Sequence, residues 1–206
     1  MLALQTRTNI AWLLVAAVVA VLAMLPSVAD ARWRAASALP VPAVLPVHTA
    51  QEACEAASAR IGEASESELV GATLCLLNGE RSRRGLPRLR LNDRLSDAAN
   101  RHSSDMVRRG YFAHDSLTGA SFVDRIRRTG YLRSVRAWSV GENLAWGSGN
   151  RGTPEQILRE WMNSPGHRAN ILTTRFREIG IGVAAGAPRR VGLPAATYTT
   201  DFGARS

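Results

Sequence analysis

The stretches "REIGIGVAAG" (Arg177–Gly186) and "AATYTTDFG" (Ala195–Gly203) decide the fold. Both are strand-like, and the residues between them are rich in Pro, Gly and Arg, so the two runs should pair as an antiparallel hairpin. Upstream the periodicity is helical. Asn92 opens a segment that stops at Gly110 and carries the stripe Leu95, Ala98, Ala99, His102 and Met106; these spacings draw one apolar helix face. Helices come first and paired strands last, without regular βαβ alternation. The pattern predicts an α+β sandwich, not a doubly wound parallel sheet.

Other elements follow from their end signals. "SESELVGATLCLLNGERSRRG" opens on the capping pair Ser65 and Glu68 and stops at Gly85. Its apolar face is Leu69, Ala72 or Thr73, Leu76 and Leu77, while Arg81, Arg83 and Arg84 suit its C-terminal end. "TAQEACEAASARIG" opens on Thr49 and Glu52 and stops at Gly62, predicting a helix over 50–61. Two helices joined by so short a link must be antiparallel neighbours. That arrangement sets Cys54 and Cys75 nearly level, offset by roughly 3 Å along the axes, and predicts a disulfide between them. Ser121 to Thr129 reads as a short helix stopped by Gly130, and "WSVGENLAWG" as a strand or extended turn. Thr153–Gln156 is a further capping box, opening a helix that carries Ile157, Leu158 and Trp161. In "NSPGHRANIL" Ser164 can cap a helix and Pro165 suits its first position, so His167 falls in the first turn.

The chain has 206 residues and a formal net charge of +9. Arg7, an apolar run from Ile10 to Leu25 and the small residues Ala29 and Ala31 compose a signal peptide over 1–31. A spanning helix wants roughly 20 apolar residues, and this run is shorter. A retained anchor is the alternative, and both readings imply export. The domain plan is then a signal peptide (1–31), a Pro/Ala-rich linker (32–48), an N-terminal helix and turn (49–65) and a main domain (66–206). Loss of residues 1–31 removes Arg7 and Asp30 and leaves the net charge unchanged. Every cation other than histidine is arginine. These arginines are scattered over several helices. That distribution suits a basic surface facing anionic envelope polymers rather than a specific nucleic-acid site.

Four histidines remain to be placed. His48 lies in the linker, and His102 on a helix's apolar face reads as a hydrogen-bonded core residue. His114, His167 and Glu142 all sit at breaks between elements. Two imidazoles and a carboxylate on loops suit a divalent metal or proton transfer. No HExxH, GxSxG or Walker-type loop is present.

The ordered set "LCLLNGERSRRGLPRLRLNDRLSDAANRHSSDM", "YFAHDS", "GENLAWG", "EWMNSPGHRANIL" and "EIGIGVAAG" with "YTTDFG" resembles the CAP superfamily. That superfamily comprises the cysteine-rich secretory, antigen 5 and plant pathogenesis-related 1 proteins. The compact bacterial SCP-domain members are most similar, over roughly residues 68–204. The resemblance implies an α–β–α sandwich with a small antiparallel sheet. It also implies a central cleft of two histidines and acidic residues, which in some members binds a divalent metal. By motif, His114 and His167 match the family histidines and Glu142 the first glutamate. The second family glutamate falls on Ser164, so the tetrad is incomplete, and Glu160 points about 100° away from that direction.

These features favour an exported envelope protein, secreted or periplasmic/extracellular, acting as a binding or signalling module. Its cleft is expected to comprise His114, Glu142, His167 and Ser164. His114 and His167 would be ligands for a divalent metal such as zinc, and Glu142 the candidate base if the cleft is catalytic. The expected partner is an envelope ligand, an anionic polymer or a lipid, with no stable transmembrane span after processing. Two alternatives are a metal-dependent hydrolase of an envelope polymer or peptide, and a carrier of a lipid or sterol-like molecule.

Overall fold

A computed structural model describes residues 54–206. The expected signal peptide, the linker and the Thr49–Glu52 box lie outside the described residues. The predicted hairpin forms the centre of a four-stranded sheet. Strand β3 (Glu178–Ala185) pairs antiparallel with β4 (Ala195–Arg205). Strand β2 (Trp138–Ser148) runs antiparallel along the other side of β4, with Glu142 opposite Asp201. The expected small antiparallel sheet is present, and one short parallel strand is added at its edge. Strand β1 is only Arg90–Leu91 and lies parallel to β3. It exists because the connection between two helices is laid along β3: Arg90 N–H donates to the Arg177 carbonyl and Asn92 N–H to that of Ile179.

Helices cover both faces, giving the α–β–α sandwich. Helix α2 (Asp93–Arg109) packs on β3 and β4, with α3 (Phe122–Arg128) beside it. The opposite layer is α1 (Glu66–Ser82), α4 (Pro154–Asn163) and α5 (Pro165–Leu172). All five residues of the α2 stripe are buried. The alternate glycines of "EIGIGV" let this helix lie directly on the sheet: a Cβ on Gly180 would stand 2.0 Å from the Leu95 carbonyl carbon, and one on Gly182 2.3 Å from that of Ala99. The other face is filled by Leu69, Leu77, Ile157, Trp161, Tyr198 and Phe202. Phe176 stacks on Phe202 with centroids 5.6 Å apart.

The end signals operate with two exceptions. Ser65 and Glu68 form a reciprocal capping box, Asn92 accepts from the N–H groups of Arg94 and Leu95, and Gly110 closes α2 at φ 70°. Thr153 accepts from Gln156 N–H, but only that half of the expected box is formed. Ser164 stands at the N-cap of α5, yet its hydroxyl makes no capping bond.

Two further expectations are corrected. Residues 54–61 form turns rather than the end of a helix, and Ala56 has φ 57°. Helix propensity here is overridden by tertiary contacts: the Ala57 carbonyl accepts from Glu155 N–H in the first turn of α4, and Ala59 and Ile61 pack against the core. The disulfide between Cys54 and Cys75 forms, with Cα atoms 5.7 Å apart, but it ties a turn to a helix rather than two helices. Arg81 lies in the last turn of its helix as expected, and there it is wholly buried.

Candidate functional site

Glu142 lies on β2, at the edge of the sheet, inside "GEN". Each letter of that motif has a separate task. Gly141 admits α5, since a Cβ there would meet the Asn170 side-chain oxygen at 2.9 Å. Asn170 then donates to the Glu142 carbonyl at 3.1 Å and to the Asn143 side-chain oxygen at 2.9 Å. Asn143 in turn donates to the His167 carbonyl at 3.1 Å. Strand alternation sends the Glu142 side chain to the opposite face, toward α3. Asn143 and Asn170 therefore pin the first turn of α5, and with it His167, against the strand that carries the glutamate.

The Glu142 carboxylate is buried and held from two sides. His114 Nδ1 lies 2.8 Å from Oε1, and Arg125 Nη2 lies 2.5 Å from Oε2. Arg125, from α3, also donates through Nη1 to the His114 carbonyl at 2.7 Å and to that of Ala120 at 3.2 Å. One guanidinium thus holds both the carboxylate and the backbone of the histidine that the carboxylate binds. A carboxylate only accepts, so His114 Nδ1 carries the proton, and the lone pair of the neutral ring falls on Nε2.

The surroundings shift His114 and His167 in opposite directions. The bond to Glu142 raises the His114 pKa above the usual imidazole value, against a smaller opposing effect of burial. Burial, and then the charge of His114, lower that of His167. The half-exposed His114 side chain opens this pair to solvent. His102 is buried in the α2 stripe with Nε2 2.9 Å from the Ala113 carbonyl, and burial keeps it neutral.

The structure brings His114, Glu142 and His167 to one edge of the sheet. Ser164 stands at the α4–α5 junction without a capping bond. Reading the sequence missed Arg125, Asp201 and the Asn143–Asn170 clasp. Arg125 is one of three arginines in "DRIRR", and nothing local separates it from the others. Asp201 did leave a signal, a lone acid inside a strand-like run. Its carboxyl is wholly enclosed, and burial, then the charge of Glu142, push its pKa well above the carboxylate range.

A three-layer α–β–α domain that brings two histidines and a glutamate together at one edge of its sheet has the arrangement of an SCP-type domain. The family model described as "Cysteine-rich secretory protein family" (CAP) matches residues 74–200, and the chain belongs to that family. It is 40% identical over 107 residues to the "Uncharacterized protein YkwD" of Bacillus subtilis (strain 168), a match covering 52% of this chain and 39% of that protein. The "Uncharacterized membrane protein YlbC" of the same organism is 31% identical over 124 residues, covering 60% of this chain and 33% of that protein. The chain thus matches well under half the length of either relative. Among solved structures, an extracellular protein containing a SCP domain from Bacillus anthracis str. Ames is similar at TM-score 0.51 and 29% identity. That match covers 68% of this chain and 43% of the other. An outer surface protein from Borrelia burgdorferi shares the fold at TM-score 0.57 and 20% identity, covering 69% of this chain and 97% of the other.

Proposed function

We propose that the chain is an exported protein of the cell envelope whose cleft presents His114 and His167 as a paired imidazole site for an envelope ligand. The observation that carries this reading is the clamped carboxylate. Glu142 is enclosed and bonded to both His114 and Arg125. So placed, it orients an imidazole rather than meeting a water, which favours a binding module over a hydrolase with Glu142 as base. Export is supported by the disulfide, which persists in oxidising compartments. No described helix is long and apolar enough to cross a membrane.

The donor set fits a divalent metal such as zinc in an open site. A carboxylate bonded to the far nitrogen of an imidazole is the usual support for a metal-ligating histidine. Among the described residues no group of three or more His, Cys, Asp or Glu converges on one point. His114 and His167 would therefore be the protein's ligands, and water or the bound ligand would complete the shell. Bound there, a metal would supply a Lewis acid that holds an anionic or carbonyl oxygen of the ligand.

Calorimetric titration with zinc tests the reading. The wild type should bind, and His114→Ala and His167→Ala should each weaken binding at least tenfold. Binding should also fall as pH drops through roughly 6 to 7, because protonated imidazoles do not ligate. Equal affinity in both variants would move the metal elsewhere, and no binding by the wild type would leave the histidines as polar contacts for the ligand.

A further inference from the structure

Beneath the cleft lies a second carboxyl that the binding reading does not use. Asp201 is paired in register with Glu142 across β2 and β4. It is wholly buried, and among the described residues neither of its oxygens has a hydrogen-bond donor. Strand β2 brings Glu142, and α3 brings Arg125. Strand β3 places Gly180 opposite it, without a side chain. Helix α2 brings His102 to the same cluster, a ring that is neutral and acted on by both Arg125 and Glu142. One guanidinium therefore faces two carboxyls, and its Nη2 is committed to Glu142.

A buried ionised carboxylate without donors or a counter-ion is costly, and a second one beside it more so. Two carboxyls that share one site resolve the conflict by keeping one proton between them. Glu142 already accepts from His114 and Arg125, so the proton belongs on Asp201. We propose that Asp201 is a positioning residue of the cleft, a neutral carboxylic acid that donates its proton to the Glu142 carboxylate and so fixes the orientation in which Glu142 holds His114. The inference deepens the binding reading above, since it concerns the support of the same histidine. It does not need a metal or a ligand, so it can stand if zinc binding fails.

The first test is the pH dependence of urea unfolding for wild type and Asp201→Asn. A carboxyl whose folded pKa is raised contributes most to stability below the unfolded value near about 4, and that contribution declines as pH rises toward the folded value. The unfolding constant of wild type relative to Asp201→Asn should therefore rise about tenfold per pH unit above about 4. A ratio that is flat or falls between pH 4 and 7 describes an ionised Asp201 paired with Arg125 and overturns the proposal. The second test is the NMR resonance of the His114 Nδ1 proton. Asp201→Asn, whose amide still donates, should leave it in place; Asp201→Val, without a donor, should shift or broaden it. An unchanged resonance in folded Asp201→Val overturns the positioning role. If Asp201→Val does not fold, the pH series on Asp201→Asn decides alone.

Discussion

Two arginines are buried in this domain, one on each face of the sheet, and they are neutralised in opposite ways. Arg81, in the α1 layer, has no carboxylate partner among the described residues. Its guanidinium donates to four backbone carbonyls: Pro87 at 2.8 Å, Ile171 at 2.6 Å, Thr173 at 3.0 Å and Phe176 at 3.1 Å. Two of these belong to the end of α5, so Arg81 does serve a helix C-terminus, but that of another helix. Burial lowers its pKa. Arg125, in the α2–α3 layer, is paired with the Glu142 carboxylate, and its Nε has no acceptor among the described residues. The first arginine is saturated by fixed dipoles and joins three chain segments. The second is tied to a single charged partner that also holds a cleft histidine. One layer uses its polar groups to hold the chain together, and the other to hold the cleft.

Substitution at the two arginines should separate these roles. Arg125→Met strands a buried carboxylate and should lower stability by about 4 kcal/mol, the range for breaking a buried ion pair. Adding Glu142→Gln should restore at least half of that loss, because the unpaired charge is removed. Arg81→Met should cost about 3 kcal/mol through orphaned carbonyls, and no second single substitution should rescue it, since no one residue is its partner. Urea denaturation of wild type, the two single variants, Arg125→Met/Glu142→Gln and Arg81→Met combined with Glu142→Gln measures this. Rescue of Arg81→Met by a single neighbour, or failure of Glu142→Gln to rescue Arg125→Met, would erase the distinction.

The disulfide belongs to the Arg81 layer. Its residues are 21 apart in sequence; replacing both cysteines by serine should cost about 3 kcal/mol by loop-closure entropy. The His114 Nδ1 proton should keep its wild-type resonance in the folded variant. A moved resonance would mean that the two layers are coupled through the sheet. The smallest effects compare two serines in the same layer. Ser65→Ala removes a reciprocal capping box and should cost about 1 kcal/mol. Ser164→Ala removes no capping bond and should change stability by less than about 0.5 kcal/mol. A larger loss at Ser164 would show that its hydroxyl has a partner in solution.

The sequence by itself determined what is local. Asn92 to Gly110 carries its own cap, stripe and stop, and so became α2 within a residue of the expected bounds. The alternating glycines and the turn-rich spacer of 177–203 predicted the hairpin at the centre of the sheet. His114, Glu142 and His167 were legible because the residues around each resemble the family motif, although Glu142 lies inside β2 rather than at the expected break.

What only the tertiary structure decided depends on distant partners. Residues 54–61 have helical composition, but their carbonyls and apolar side chains find α4 and the core instead. Strand β1 exists only because β3 offers an edge, a pairing across nearly ninety residues that no local pattern encodes. Arg81, Arg83 and Arg84 look alike as a sequence; burial separates them, because only Arg81 faces the end of α5. Arg125 and Asp201 were not chosen by reading either, since a charge in a helix or a strand acquires a role only from the charge set opposite it. Hydrogen-bond donors, caps and periodicity act over a few residues and can be read along the chain. Desolvation and charge pairing act through space, and only folding decides what a buried group meets.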